Sequence, residues 1–265
     1  MLESVIVLCI LVTLAIGVTW PVRLIKYKRK KVRNGVLISS IIITVVVLIL
    51  LTYFFSKSRN LQLFGNIISH IETEDKVIAL TFDDGPSGSY TKEILDILEA
   101  YGVKSTFYLN GAGIQTNMND TKMIIDAGHE IGNHSYSHNR MMLMSYKKIS
   151  TEIESTDQMI IQAGYDGPIT IRSPYCKKLL FLPLYLELNQ RINVTFSIEP
   201  QTYYSTAEDM INYIKEETKS GDIILLHVLN EANESAREAL ADMLDYLISE
   251  GYQFLTVSEL LEYDH

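Results

Sequence analysis

Apolar positions follow two different patterns along the chain, one near the N-terminus and another in the remainder. Residues 4–22 and 36–55 form two runs without a charged residue, each about 20 residues long. Because a helix rises about 1.5 Å per residue, such a run spans a hydrocarbon core of about 30 Å. We therefore predict a transmembrane hairpin over residues 1–59, with helices at about 4–22 and 36–55.

The connection between the two runs, residues 23–35, predicts the orientation of this hairpin. It carries seven basic residues and no acidic one. Short loops with this bias remain on the cytoplasmic side of the membrane. Both termini and the whole chain after the second run are then expected outside the plasma membrane. Glu3 stands where a signal peptide has a basic region, so a retained anchor is favoured over a cleaved signal.

After a polar, irregular stalk over residues 60–75, short apolar runs alternate with stretches of helical periodicity to the C-terminus. Strands are predicted at residues 77–82, 105–109, 131–134, 169–172, 194–198, 223–227 and 254–257. This alternation is typical of βαβ units and a parallel sheet. We therefore expect residues 76–265 to be an α/β domain, with seven strands forming a barrel or near-barrel.

Charge and cysteine content limit the partners and the stabilisation of this outer part. From Asn60 onward it has 14 Lys and Arg against 31 Asp and Glu. This acidity disfavours nucleic acid and anionic lipid as partners, whereas a neutral polymer is not repelled. Cys176 is the single cysteine outside the apolar runs, so no intramolecular disulfide is expected and a hydrophobic core must stabilise the domain.

Two pairs of residues are candidates for a metal site. Asp83 and Asp84 follow the apolar run 77–82. Adjacent carboxylates repel, and a strand that carries them into a core needs a compensating group such as a metal ion. Fifty residues after Asp84, His134 and His138 are four positions apart, a spacing that allows both imidazoles to bind one cation. Either pair alone is more often solvated or structural; together they predict a mononuclear metal hydrolase site.

Arg172 and His227 add to this pattern, because they also fall at or just past the ends of predicted strands. Active sites of parallel (β/α) barrels lie on the face formed by the C-terminal ends of the strands. Taken singly, Arg172 fits a salt bridge and His227 fits a buried core histidine. Their shared position favours one site.

Two segments resemble motifs of the polysaccharide deacetylases, the NodB-like enzymes of carbohydrate esterase family four. They read TFDDGP at residues 81–86 and GHEIGNHSYSH at residues 128–138, and weaker matches read RSPY at 172–175 and LLH at 225–227. The resemblance extends from residue 76 to about residue 261. It implies a distorted (β/α) barrel and a reaction that removes acetyl groups from N-acetylated sugars.

The resemblance also implies a metal centre and a base. Asp84, His134 and His138 would bind a divalent metal, most often Zn²⁺, with Co²⁺, Ni²⁺ or Mn²⁺ as other candidates. Three such ligands leave coordination positions open for water and substrate, which is typical of a catalytic site. Asp83 would be the general base, and the metal and Arg172 would both favour its ionised form.

Four further roles follow from the same resemblance. His227 would be the general acid that protonates the departing sugar nitrogen. The backbone N–H of Tyr175 would donate to the oxyanion, and Leu225 would line the acetyl pocket. Tyr203 aligns with a tryptophan of the family and would contact the substrate.

The chain departs from the family pattern at two places. Cys176 replaces a glycine beside the proposed oxyanion donor, and cysteine adopts positive φ less readily than glycine. Thr202 aligns with an aspartate that orients the arginine, and a threonine cannot hold Arg172 by charge. Glu199 is a candidate to replace that aspartate.

The sequence therefore predicts a membrane-anchored, metal-dependent N-deacetylase that acts on an amino-sugar polymer of the cell envelope. Peptidoglycan N-acetylglucosamine is the first expected substrate, followed by a secreted poly-N-acetylglucosamine or chitin-like chain. Two alternatives remain open. One is a catalytically weak relative that binds glycan and senses the wall, and the other is an O-acetyl esterase that uses the same site.

Overall fold

The computed structural model describes residues 30–263. The chain divides after Phe55 into two compact units. The first contains all but the last residue of helix α1, Lys30–Ser56. The segment Asn34–Ser56 of this helix is long and apolar enough to cross a membrane by length and composition. Among the described residues, α1 alone meets this criterion.

Residues 30–35, which precede the predicted helix start at residue 36, are already helical in α1. The last part of the predicted loop 23–35 is therefore helical. Lys and Arg are good helix formers, so the basic residues before the apolar segment are compatible with a helix. The predicted first helix, residues 4–22, lies outside the described residues.

The second unit, which begins at Ser56, is built on parallel strands. Its main sheet contains β2 (Val77–Asp83), β3 (Thr106–Leu109), β4 (Glu130–Asn133), β6 (Ile223–Leu226) and β7 (Gln253–Leu255). The order is β4-β3-β2-β6, and β7 pairs with the first half of β2. A second, two-stranded sheet joins β1 (Ile67–Ile68) to β5 (Asn193–Val194).

Helices alternate with these strands along the chain. They are α2 (Thr91–Tyr101), α3 (Gly111–Thr116), α4 (Met118–Asp126), α5 (Tyr146–Gln162), α6 (Phe181–Leu188), α7 (Ala207–Glu217), α8 (Glu234–Ser249) and α9 (Val257–Leu261). Single-turn 3₁₀ helices lie at Met141–Leu143, Pro174–Cys176, Pro200–Thr202 and Glu231–Asn233. The α/β class with parallel sheets is therefore confirmed.

Strand β2 is the centre of the main sheet and explains where the site lies. All of its residues are buried, and it pairs with β3 and β6. A near-continuous apolar run is typical of a parallel strand that is covered on both faces. The strand ends at Asp83, so the carboxylate pair lies at the edge where parallel neighbours also end.

Two predicted strands are shorter in the structure than in the sequence analysis. Residues 169–172 contribute only the bridge residue Ile171, and residues 194–198 are reduced to the end of β5 plus a bridge at Ile198. Both segments lead into turns with a proline at the start, and a proline has no N–H to donate to a strand ladder. The main sheet therefore ends at β4 on one side and at β6 on the other. Within residues 30–263, only isolated bridges connect the segments between these two edge strands. Closure of the sheet into a barrel stays a prediction.

The segment expected as a stalk, residues 60–75, contributes backbone hydrogen bonds to the second unit. The N–H of Thr195 donates to the carbonyl of Ile68 at 2.7 Å, and the N–H of Ile71 donates to the carbonyl of Gly221 at 3.0 Å. Strand β1 lies in this segment and has only two residues. It was missed because so short a run carries no periodicity.

Candidate active site

The two carboxylates diverge at the end of β2 because the backbone turns there. Asp83 is the last residue of the strand and is 4% exposed. Asp84 has a φ of 71°, a left-handed conformation that aspartate tolerates better than most residues. Asn110, directly after β3, donates from Nδ2 to Asp84 Oδ1 at 3.2 Å. One carboxylate is thus buried, and the other reaches toward the histidines.

Asp84, His134 and His138 converge as predicted. Each offers one ligand atom, and these atoms all lie within 4.8 Å of one another. Asp84 Oδ1 is 3.2 Å from His138 Nε2 and 3.9 Å from His134 Nε2. One carboxylate oxygen and two imidazole nitrogens form a donor set that suits Zn²⁺ and related divalent cations.

The tautomer of His134 also fits a metal ligand. Its Nδ1 lies 2.8 Å from the backbone carbonyl oxygen of Arg172. Because a carbonyl can only accept, Nδ1 carries the proton, and in the neutral ring Nε2 presents a lone pair to the cluster. Burial and the neighbouring His134 lower the pKa of His138, which favours the neutral, metal-binding imidazole.

Asp83 is paired with Arg172 in the interior of the unit. Arg172 donates from Nη1 to Asp83 Oδ1 at 2.7 Å. Burial alone would raise the pKa of Asp83, but the charge of Arg172 and its hydrogen bond lower it. Asp83 is therefore ionised, and its other oxygen, Oδ2, lies 3.6 Å from His134 Nε2.

Backbone carbonyls, a hydroxyl and aromatic rings hold the guanidinium of Arg172, which is fully buried. Nη2 donates to the carbonyl of Thr195 at 2.9 Å, and Nε donates to the carbonyl of Val194 at 3.3 Å. Nη1 also donates to Thr81 Oγ1 at 2.8 Å, and Cζ lies 4.0 Å from the ring centre of Tyr108. These contacts orient Arg172 without a second carboxylate.

The suggestion that Glu199 replaces the missing aspartate is not supported by the contacts. Glu199 Oε2 accepts from Arg59 Nη2 at 2.9 Å and from the hydroxyl of Thr202. Arg59 itself lies over the ring of Phe196, with Cζ 4.1 Å from the ring centre. Glu199 and Thr202 thus form a network with Arg59.

An open cleft of about 1070 Å³ surrounds the cluster. Eight of the nine predicted site residues line it: Asp83, Asp84, His134, His138, Tyr175, Tyr203, Leu225 and His227. The ninth, Arg172, lies behind Asp83. The sequence therefore identified residues that the fold brings to one place.

Leu225 and His227 approach the cleft from β6. Leu225 lies opposite Thr81 in the ladder between β2 and β6 and is 1% exposed. His227 directly follows the strand, and its backbone N–H donates to Gln201 Oε1 at 2.6 Å. Gln201 belongs to the turn Pro200–Thr202, so this bond ties the end of β6 to the segment that also pairs with β6 through the bridge between Ile198 and Ile224.

Two tyrosines border the opening. The ring centre of Tyr175 lies 4.7 Å from that of His138, and the side chain is largely exposed. Tyr203 is 61% exposed and packs against Tyr213, with ring centres 5.5 Å apart. Both rings are therefore accessible to a ligand in the cleft.

Cys176 takes the conformation that glycine would adopt more easily. Its φ is 53°, and Tyr175 before it has a φ of 57°. The side chain is buried in a cluster that includes Tyr108, Phe196 and Leu225. Burial raises the pKa of the thiol to about 11, so the metal-binding thiolate is disfavoured.

The sequence analysis missed several residues of the site. Lys57 and Arg59 line the cleft from the segment that follows α1, and Lys177 lines it after the Pro174–Cys176 turn. Asn110 contacts Asp84 directly. None of these residues lies in a recognised motif, and their positions depend on how separate segments pack together.

Comparisons with known proteins identify the family. A family model described as polysaccharide deacetylase matches residues 70–185. A peptidoglycan-N-acetylglucosamine deacetylase of Bacillus cereus is 32% identical over 210 residues, which make up 78% of this chain and 98% of that protein. A peptidoglycan-N-acetylglucosamine deacetylase of Listeria monocytogenes is also 32% identical, over 190 residues, but the match covers only 39% of that longer protein.

The fold agrees as well. The crystal structure of a peptidoglycan N-acetylglucosamine deacetylase superposes with a TM-score of 0.69 at 27% identity, covering 73% of this chain and 91% of that chain. The sequence match extends over nearly the whole Bacillus cereus protein, and the structural match has the same α/β architecture. The chain belongs to the polysaccharide deacetylase family.

Proposed function

We propose that this protein is a metal-dependent hydrolase that removes N-acetyl groups from N-acetylglucosamine residues of peptidoglycan. The observation that carries the proposal is one cluster, in which Asp84, His134 and His138 converge beside Asp83, a carboxylate kept ionised by Arg172. The names of the relatives from Bacillus cereus and Listeria monocytogenes support peptidoglycan as the polymer.

Asp84, His134 and His138 would hold the cation, and Asp83 would act as general base. When bound, a divalent cation supplies Lewis acidity toward water and the acetamide carbonyl. Asp83 takes a proton from the attacking water, and its position beside His134 places it next to the cluster. Arg172 keeps that carboxylate ionised and fixes its orientation.

The remaining predicted residues act on the substrate. His227 delivers a proton to the sugar nitrogen as the amide bond breaks. The backbone N–H of Tyr175 donates to the developing oxyanion, and Leu225 contacts the acetyl methyl group. Tyr203 lies against the sugar at the edge of the cleft. All four line the same opening, which supports assigning them to one bound glycan.

Zn²⁺ is the metal we propose first. Two imidazole nitrogens and a carboxylate are typical of catalytic zinc, and Co²⁺ or Ni²⁺ accept the same donors. Mn²⁺ prefers sites richer in oxygen, so it is the weakest of the four candidates.

We also propose that α1 anchors the protein in the plasma membrane, with the second unit on the outer side, where the polymer is. The length and apolar composition of Asn34–Ser56 and the basic residues before it support this topology. A second span at residues 4–22, which would put the N-terminus outside too, rests on the sequence alone.

Acetate release tests the proposal. The full-length protein, purified in detergent, is incubated with N-acetylglucosamine oligomers and with purified cell wall, before and after chelation and after zinc is restored. We expect release that chelation abolishes and zinc restores, and that Asp83→Asn removes. Glycan binding without release would favour the weak relative. Release confined to acetyl esters and retained in His227→Ala would favour the esterase.

A further inference from the structure

The loop that joins the two histidines of the cluster has an unfavourable backbone at both ends. Ser135 has a φ of 63°, and His138 has a φ of 54°. Left-handed conformations at residues other than glycine cost on the order of 1 kcal/mol each and persist only where surrounding contacts impose them. The position of His138 relative to His134 therefore depends on groups that hold this loop.

Glu152 of α5 supplies the largest set of such contacts from one side chain. Its Oε2 accepts from the backbone N–H of Tyr136 at 3.1 Å and from that of Ser137 at 2.8 Å. Its Oε1 accepts from the Ser137 hydroxyl at 2.7 Å. The side chain is largely buried, at 7% exposure. Hydrogen bonds from N–H groups to a buried carboxylate are charge-assisted and stronger than neutral ones.

The loop is fixed on its other side by neutral backbone groups. The N–H of Gly111 donates to the carbonyl of Ser135, and the N–H of Ala112 donates to that of Tyr136, both at 3.0 Å. The loop thus lies between the start of α3 and the middle of α5. Glu152 is the carboxylate that contacts this loop, and it binds Tyr136 and Ser137, two of the three residues between the histidines.

We infer that Glu152 is a positioning residue for the metal centre. By holding residues 136 and 137, it keeps His138 Nε2 close to Asp84 Oδ1 and His134 Nε2 and so raises the affinity for the cation. The inference rests on the metal site in the proposed function and adds a residue to it. Removing groups that orient metal ligands typically lowers metal affinity 10–100-fold.

Metal affinity of Glu152 variants tests this inference. Zinc dissociation constants of the full-length protein are measured by competition with a chromophoric chelator, without substrate. We expect an increase of roughly 10–100-fold for Glu152→Ala. The increase is smaller for Glu152→Gln, because the amide keeps one carbonyl acceptor for the loop.

Glu154 provides a matched control on the same helix. It accepts from Ser150 Oγ and from the hydroxyl of Tyr185, and it is placed away from the loop by these contacts. Glu154→Gln is expected to bind zinc like the wild type. The melting temperature of the metal-free variants separates the two roles, since a purely structural glutamate would change this temperature and leave zinc affinity unaltered.

The outcomes distinguish this inference from the proposed function. If the wild type binds zinc and both Glu152 variants bind it within about threefold of the wild type, Glu152 has no positioning role. If Glu152→Ala does not fold, Glu152→Gln decides, because its shape is nearly that of glutamate. If the wild type binds no divalent metal, the proposed function and this inference both fail.

Discussion

Arg172 donates from Nη1 to Asp83 Oδ1 at 2.7 Å, and both side chains are buried beneath the cleft. The same guanidinium is fixed by the carbonyls of Val194 and Thr195. The charge that keeps Asp83 ionised is therefore held by main-chain atoms, which do not depend on the side chain at position 202. Arg172 is thus held beside Asp83 although Thr202, and not an aspartate, stands at the position that aligns with the family aspartate.

Asp83→Asn and Asp84→Asn are both expected to lose deacetylase activity, but for different reasons. The amide that replaces the Asp83 carboxylate cannot take a proton, so kcat should fall about 10²–10⁴-fold while zinc still binds. The amide that replaces the Asp84 carboxylate is a weaker, neutral ligand, so the main effect of Asp84→Asn should be a lower affinity for zinc. Zinc competition and acetate release at saturating zinc measure the two effects. Equal loss of metal in both variants would contradict the assignment of Asp83 as a base.

Arg172→Lys should move the acidic limb of the pH profile. Asp83 has a lowered pKa because Arg172 opposes the effect of burial. Lysine keeps the charge but loses the planar set of donors that binds Asp83, Val194 and Thr195 together. The pKa of Asp83 should rise, so kcat/KM should begin to fall at a higher pH than in the wild type. If the acidic limb does not move and zinc affinity is unchanged, Arg172 does not control the pKa of Asp83.

Cys176 is expected to be chemically inert. Because its pKa is raised to about 11, little thiolate exists near neutral pH. Alkylation by iodoacetamide, followed on the Cys176 peptide by mass spectrometry, should be slow at pH 8 and accelerate only well above it. Cys176→Ala should retain zinc and acetate release. Rapid labelling at pH 8, or loss of zinc from the alanine variant, would point to a thiolate in contact with the metal.

Gly111 has no room for a side chain beside the histidine loop. A Cβ there would lie 2.5 Å from Tyr136 Cδ2 and 2.7 Å from Thr156 Oγ1. Gly111→Ala should therefore destabilise the protein by about 1–3 kcal/mol and weaken zinc binding, because the loop must shift. At Gly88 the nearest atom to an added Cβ is Asn117 Oδ1, at 3.6 Å, so Gly88→Ala is the control. Equal melting temperatures for the two variants would contradict the close packing of the loop.

Much of the site could be predicted because its chemistry is carried by short motifs. The run before Asp83 has the composition of a fully buried strand, and the structure places that strand at the centre of the sheet. The spacing of His134 and His138 indicated a shared cation, and their nitrogens lie near Asp84. The composition of a run and the spacing of two histidines involve residues that are close together in the chain, so they can be recognised in the sequence.

The parts that were missed depend on contacts between distant segments. The carbonyls that hold Arg172 belong to residues 194 and 195. Every residue has a backbone carbonyl, so the sequence does not indicate which of them contact Arg172. Arg59 pairs with Glu199 across 140 residues, and Glu152 reaches the histidine loop from a helix whose pattern indicates only its buried face. The strand predicted at residues 169–172 is not formed, because Ile171 pairs with its neighbours through isolated bridges and not through a continuous ladder.

Metal analysis of the purified full-length protein tests the central claim most directly, namely that Asp84, His134 and His138 share one cation. The protein is loaded with zinc, freed of excess metal and measured for zinc per chain, beside the double variant His134→Ala/His138→Ala treated in the same way. We predict about one zinc ion per chain in the wild type and almost none in the variant. A wild type without zinc, or a variant that retains as much as the wild type, would contradict the account.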